Sequence, residues 1–311
     1  MTVFSPILPF WQKTEDPWSM EDILQPDPEN PPKYMLQARD LDVLQVLLEH
    51  RFMTTHQVNR MFFNGSYGNK STQRRMRKLF EMGLVMRMRP KDMEPGTKPY
   101  VFAITQLGYQ VLVKVERIST DQAASFRFEE SEHQVEFSRV IHEIDLNDVC
   151  LDILESADQQ ELSVEWIPTK QCRQKVKWTD GKYRVVEPDA IFIFSTDKGE
   201  KVLHLEYERS ADPRRFQNKL VKWKLYRGQQ VWRERYTSEP FICVIGNREN
   251  MQTGGRKRRV VRSIYPLRQM AIDRAFKKIF FLPIDEIEEK TWNCLPDHRN
   301  TTKTLWQHLQ L

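Results

Sequence analysis

Lys70 to Thr105 reads KSTQRRMRKLFEMGLVMRMRPKDMEPGTKPYVFAIT, a basic helix followed by two strand-like runs around a turn. Thr72, Met76, Leu79, Phe80 and Gly83 recur at i, i+3, i+4 and i+7 spacing, which places them on one side of the helix. Ser71, Arg74, Arg77, Lys78 and Glu81 point the other way. The helix is therefore expected to dock by a narrow apolar stripe and to turn a cationic face to solvent. Leu84 to Arg89 and Tyr100 to Ile104 have strand character, and Pro90, Pro95 and Gly96 mark the turn between them. A helix followed at once by a β-hairpin predicts the recognition helix and wing of a winged helix-turn-helix.

The charge follows the same stretch. From Arg51 to Lys91 ten Lys and Arg stand against one acid, Glu81, an excess of nine in a chain whose net charge is only +5. A concentrated cationic face is what phosphate binding through counterion release requires. At 311 residues the chain has room for two domains, and 40% hydrophobic with 29% charged residues describes a globular protein. No apolar run approaches the ~18–20 residues of a membrane span. No basic segment leads into an apolar core near residue 1, so a signal peptide is not expected and a cytoplasmic location is. Cys150, Cys172, Cys243 and Cys294 are far apart with no CxxC pair, which predicts reduced thiols and excludes a zinc-finger spacing.

Outward from the basic helix, Asp40 to Leu48 predicts a first helix with Leu41, Leu44, Leu47 and Leu48 inside. Thr54 or Thr55 caps a second helix, His56 to Phe62, and Thr105 caps a closing helix after the hairpin. Residues 36–117 thus form the winged domain. Residues 1–35 are rich in proline and read as an extended arm, whose Phe4, Phe10, Trp11 and Trp18 could pin it either to the body or to a partner. Residues 118–130 read as a linker, and residues 131–311 as an α/β domain. That domain is expected to hold a helix from Glu132 to Ser156 and strands at Leu162–Ile167, Tyr183–Phe194, Val202–Glu208 and Phe241–Ile245. Further helices are expected at Pro213–Arg227 and Val261–Ile279. The loop Gly254 to Arg259 is a second basic stretch.

Acids cluster on two of those strands. Glu187-Pro188-Asp189 leads into the apolar run Ala190 to Phe194, and the next strand reads Val202-Leu203-His204-Leu205-Glu206-Tyr207-Glu208. Period two puts His204, Glu206 and Glu208 on one face. Carboxylates on adjoining strands are costly to desolvate without a cation. Mg²⁺ or Mn²⁺ bound among these acids is one solution. The basic residues Arg209, Arg214, Arg215, Lys219 and Lys222 just downstream are the other, in which case the acids form a structural ion-pair network. His204 reads as a packed core residue.

Three stretches resemble the replication-relaxation family of plasmids and other bacterial mobile elements. They are ARDLDVLQVLLEHRFMTTHQVNRMFF with the QRRMRKLFEMGLVMRM helix and wing, HEIDLNDVCLDIL, and VEPDAIFIF followed by LEYERS. The second half is also similar to the PD-(D/E)xK nuclease-like core, in which a strand Asp and a following ExK motif bind metal and position water. Asp189 fits the first acid and Glu206 the Glu of ExK, with Glu143 on the preceding helix as the further acid. The lysine position of ExK holds Glu208, so the resemblance implies a substitute, Lys222 ahead of Lys219. On this resemblance the catalytic set is Glu143, Asp189, Glu206, Glu208 and Lys222.

Two readings stay open. In one, the protein binds double-stranded DNA without cutting it. Ser71, Gln73, Arg74 and Arg77 enter the major groove, Lys70, Arg75 and Lys78 meet phosphates, and Arg87, Arg89 and Lys98 on the wing touch backbone or minor groove. The α/β domain then contacts DNA or partners such as a relaxase or a replication or transposition protein. In the other, the same protein is an Mg²⁺- or Mn²⁺-dependent endonuclease or nickase. A dimeric winged-helix transcriptional regulator is a third class. No membrane partner is expected.

Overall fold

The computed structural model describes residues 18–19, 35–63, 69–88, 100–118, 137–208, 212–248, 251–253, 259–261, 263–296 and 302–310. The chain divides into two compact units, Met1–Leu151 and Asp152–Leu311. Most of the proline-rich arm, the turn expected as a wing tip with Arg89 and Lys98, the 119–130 segment, Arg209 and the basic loop at 254–258 lie outside the described residues.

In the first unit, β1 (Trp18–Ser19) pairs with β2 (Met35–Leu36). α1 (Ala38–His50) follows, with Leu41, Leu44, Leu47 and Leu48 buried as the spacing predicts. β3 (Met53–Thr54) leads into α2 (Thr55–Phe62). Thr54 is the cap: its Oγ1 accepts from the Gln57 N–H at 3.2 Å, and Gln57 Oε1 accepts from the Thr54 N–H at 2.8 Å. α3 (Asn69–Glu81), β4 (Val85–Met88), β5 (Val101–Ile104) and α4 (Gln106–Lys114) complete the order. The strands form a three-stranded sheet, β3-β5-β4, in which Val85 faces Ile104 and Met88 faces Val101. Thr105 caps α4, accepting from the Gly108 N–H at 3.1 Å.

Two glycines shape the path out of α3. Gly83 has φ +73°, the left-handed conformation that ends the helix before β4. Gly108 lets α4 lie directly on that turn, since a Cβ there would stand 2.3 Å from the Leu84 carbonyl oxygen.

The unit boundary falls inside α5 (Phe137–Gln159), not at the expected linker 118–130. The physical reason is packing. Val140 and Ile144 join Phe52, Val101 and Ala103 in one apolar cluster. Asn147 Nδ2 donates to the Phe52 carbonyl at 2.9 Å, and Gln57 Nε2 donates to the Ile144 carbonyl at 2.8 Å. The first part of the helix is thereby core of the first unit.

The second unit is built on a five-stranded mixed sheet. β6 (Ser163–Pro168), β9 (Ala190–Thr196) and β10 (Gly199–Tyr207) run antiparallel to their neighbours, while β11 (Phe241–Gly246) and β14 (Ile279–Pro283) extend β10 in parallel. The order is β14-β11-β10-β9-β6. α6 (Pro213–Gly228) makes the crossover from β10 to β11 and buries Phe216, Leu220, Trp223 and Tyr226. β7 (Gln174–Lys177) and β8 (Tyr183–Val186) form a separate hairpin, as do β12 (Met251–Thr253) and β13 (Arg259–Val261). α7 (Tyr265–Asp273), α8 (Ile284–Glu288) and α9 (Leu305–Leu309) complete the unit.

Two expected elements split. The single strand Tyr183–Phe194 becomes β8 and β9, because Pro188 has no N–H for a ladder and the chain turns at Glu187-Pro188-Asp189. The single helix Val261–Ile279 becomes β13, α7 and the start of β14. Pro266 sets the helix start, and Ala275 and Lys278 take positive φ values of 49° and 52° beyond its end.

Gly108→Ala is expected to destabilise the first unit by about 1–3 kcal/mol, the usual cost of overpacking against backbone. A thermal melt reads it, and a melting temperature equal to wild type would refute the close-approach role.

Candidate functional site

The cationic face of the first unit is carried by α3. Thr72, Met76 and Leu79 are buried, and Thr72 Oγ1 donates to Asn59 Oδ1 on α2 at 2.7 Å. Lys70, Gln73, Arg74 and Arg77 are exposed, and Ser71 and Lys78 are half-buried. Arg77 Nε is 2.8 Å from Glu81 on the solvent side, an i,i+4 pair worth a few tenths of a kcal/mol that a phosphate can displace.

Two residues sit differently from expectation. Phe80, expected in the apolar stripe, is 39% exposed. The Arg87 guanidinium lies 4.7 Å from its ring centroid and 4.3 Å from that of Tyr100, so this β4 cation is stacked between two aromatics. Arg75, expected on phosphate, turns inward: its guanidinium pairs with both oxygens of Asp40 and donates to the Met35 carbonyl at 3.0 Å. Asp40 is buried and also accepts from the Gln37 N–H at 2.6 Å. A buried carboxylate needs its cation, so Arg75 is a brace between α3 and α1.

Glu143 belongs to the first unit, where its carboxylate accepts from Arg51 Nη1 at 3.0 Å. The residues that the second unit brings together are Asp189, Glu206, Glu208 and Lys219. The last ladder pair of β9 and β10 is Ala190 with Leu205, which sets Asp189 beside Glu206 at the strand ends. Asp189 Oδ2 accepts from the Tyr207 N–H at 2.7 Å, and the Asp189 N–H donates to the Leu205 carbonyl at 2.9 Å. Glu206 and Glu208 are both buried, 2% and 7% exposed. Lys219 Nζ reaches back from α6 and donates to both, at 2.5 Å for Glu208.

The lysine beside the acids is therefore Lys219. Lys222, the expected substitute, instead donates to the Val185 carbonyl at 3.0 Å. The periodicity of α6 held the signal: Lys219 falls in the buried row Phe216, Leu220 and Trp223, whereas Lys222 lies at its margin.

Burial pushes the Glu206 carboxyl above its ordinary range, Lys219 pulls it back, and Asp189 and Glu208 add to the rise. Burial alone would depress the Lys219 ammonium, but Glu206, Asp189 and Glu208 outweigh it and raise its pKa. One ammonium gains from three acids, while Glu206 has a share in one cation. His204 is 1% exposed among Trp223, Tyr226 and Tyr236, and burial pushes its pKa down to about 3, so its imidazole is neutral core. Among the described residues no group of three or more His, Cys, Asp and Glu is arranged to hold a metal. The four cysteines are buried and none is in a disulfide among the described residues.

The fold and these sites define a two-unit mixed α/β protein with one cationic helix face and one buried acid–lysine cluster. The replication-relaxation family profile matches residues 44–242, well over half of the chain, and the protein belongs to that family. Membership associates it with replication or relaxation of plasmids and mobile elements. No curated protein and no solved structure matches the chain. No helix among the described residues is long and apolar enough to cross a membrane.

Lys219→Met should cost about 2–4 kcal/mol, because it leaves two buried carboxyls without their cation, whereas Lys222→Met should cost under about 1 kcal/mol. The pH dependence has a definite sign. A carboxyl whose folded pKa is raised holds its proton longer in the folded state, so its contribution is lost as pH rises above the unfolded value, 4.5 here. Removing the ammonium raises Glu206 further, so stability of Lys219→Met should fall more steeply than wild type between about pH 5 and 8. Parallel chemical-denaturation curves for the two proteins would contradict the assignment.

Proposed function

We propose that the protein is a double-stranded DNA-binding protein of a mobile genetic element, acting in plasmid replication or relaxation through a winged helix in its first unit. The observation that carries this reading is α3, which docks by Thr72, Met76 and Leu79 and leaves Lys70, Gln73, Arg74 and Arg77 exposed. Gln73, Arg74 and Arg77, with Ser71, meet base edges, and Lys70 and Lys78 meet phosphates. Arg87, held between Phe80 and Tyr100, is read as touching backbone or minor groove, the role also proposed for Arg89 and Lys98. Arg75 leaves this set for Asp40. The second unit is read as a PD-(D/E)xK-like domain that contacts DNA or a relaxase, replication or transposition protein.

A second reading, metal-dependent nicking, is favoured by Lys219. The ExK lysine position holds Glu208, yet an ammonium still stands at Glu206, supplied by α6. The donor set fits a hard divalent cation, since Asp189 and Glu206 offer carboxylate oxygens and Mg²⁺ is commonly held by one or two carboxylates with water. When bound, Mg²⁺ or Mn²⁺ supplies a Lewis acid for a phosphodiester under attack. The chain's own part is to hold Asp189 through the Tyr207 N–H and to share Lys219 between Glu206 and Glu208.

Arg74→Ala with Lys78→Ala is expected to weaken duplex binding at least about tenfold and to lower the salt slope by about two, one per lost phosphate or groove cation. Unchanged affinity and slope reject α3 as the interface. For the second unit, supercoiled plasmid is incubated with protein in Mg²⁺, Mn²⁺ or chelator. A shift without nicking is the expected outcome for a binder. Metal-dependent open circles that vanish with Asp189→Ala establish the second reading.

A further inference from the structure

The hairpin β7–β8 packs on α6 of the second unit with a sharp division of faces. Val176 and Val186 point into the core against Phe216, Leu220 and Trp223. The register pairs Lys175 with Val185 and Lys177 with Tyr183, so these four share the opposite, outward face. Tyr183 is 67% exposed, the most open large hydrophobic side chain among the described residues, and Val185 is 38% exposed. Between residues 173 and 184 there are five cations, Arg173, Lys175, Lys177, Lys182 and Arg184, against the single acid Asp180.

The platform is held at every side. Lys222 Nζ ties the β8 edge to α6 through the Val185 carbonyl. Gln229 ties the β7 edge, accepting from the Lys177 N–H at 2.9 Å and donating to its carbonyl at 2.5 Å. The turn is closed by the Trp178 N–H on the Lys182 carbonyl at 2.7 Å and by the Arg184 guanidinium stacked 4.5 Å over the Trp178 ring. Lysines on a hairpin often serve only to guard its edges. Here Gln229 and Lys222 already bond Lys177 and Val185, one residue on each edge, and guarding an edge gives no reason to expose Tyr183.

We infer that the outward face of β7–β8 binds single-stranded DNA, with Tyr183 stacking on a base and Lys175, Lys177 and Lys182 following the backbone phosphates. An exposed aromatic amid lysines on a rigid strand pair is the chemistry of base stacking with phosphate neutralisation. Duplex DNA keeps its bases inside and offers Tyr183 no ring to stack on. The surface lies wholly in the second unit, so the inference stands apart from the duplex-binding reading of α3.

The test uses the full chain and fluorescence anisotropy with a labelled 30-nucleotide oligothymidine and a duplex of equal length. Tyr183→Ala and Lys175→Ala with Lys177→Ala should each weaken single-strand binding about tenfold, within the range that a lost base stack costs. Both should leave duplex affinity unchanged. Tyr183→Phe should bind the single strand as wild type does, which separates lost stacking from misfolding. Arg74→Ala with Lys78→Ala should do the reverse, weakening duplex and sparing single strand. Three results would overturn the inference: no single-strand binding by wild type, hairpin variants that bind it as tightly as wild type, or hairpin variants that lose duplex alone.

Discussion

A carboxyl taken out of water is either matched by a cation or held toward its neutral form, as burial beside Gln45 does for Glu49, and this requirement settles much of the molecule's chemistry. Asp40, Glu143, Glu206 and Glu208 are all buried, and each is answered by a basic side chain: Arg75, Arg51 and, for the last two, Lys219. Removing one partner from such a pair costs several kcal/mol, because the remaining charge is stranded. The basic residues of α3 therefore divide into Arg75, bound to a buried acid, and Lys70, Arg74, Arg77 and the half-buried Lys78. A count of positive charges along α3 overstates its cationic face by Arg75, and the residues that remain, Lys70, Arg74, Arg77 and Lys78, are the ones whose loss DNA should register.

The same requirement explains which parts of the site were legible in the sequence. Local signals read well. Thr54 and Thr105 cap where expected, the leucines of α1 are inside, and Glu206 and Glu208 share a face because alternation along β10 admits no other arrangement. Partners at long range read poorly. Lys219 and Lys222 are three residues apart on α6, about sixty degrees around the axis, and only the apolar row of Phe216, Leu220 and Trp223 distinguishes them. Glu143 carried an acidic role by its position before the strands, yet its cation is Arg51, ninety-two residues away. No pattern in either segment foretells that pairing.

Boundaries were hidden for a related reason. A helix such as α5 shows no single polar side, and Val140, Leu146, Val149 and Leu151 are all buried. Periodicity reports that such a helix is enclosed, but not by what. Its ties to Phe52 and Gln57 give its first part to the first unit, and nothing in residues 137–151 names those partners. Turn chemistry was missed where proline hid in an apolar run. Pro188 reads as part of a β-rich stretch, whereas its missing N–H divides β8 from β9 and so frees Asp189 to take the Tyr207 N–H.

The acid–lysine cluster has a directionality that bears on both functional readings. Lys219 keeps 33% of its side-chain surface in water, while the Glu206 and Glu208 side chains keep 3% and 8%. The lysine side chain is thus the member of the cluster most open to solvent. A phosphate brought to that ammonium would be opposed by the Glu206 and Glu208 carboxyls bonded to it and by Asp189 beside them. A divalent cation would offset that opposition, provided it could reach Asp189 and Glu206 without driving Lys219 away. An ammonium on a long, flexible stem can move aside while keeping Glu208, which a rigid guanidinium could not do so readily. Lysine at position 219 is thus compatible with a quiet structural network and with a working metal site. The two differ in whether Glu206 exchanges part of its bond to Lys219 for a metal ion.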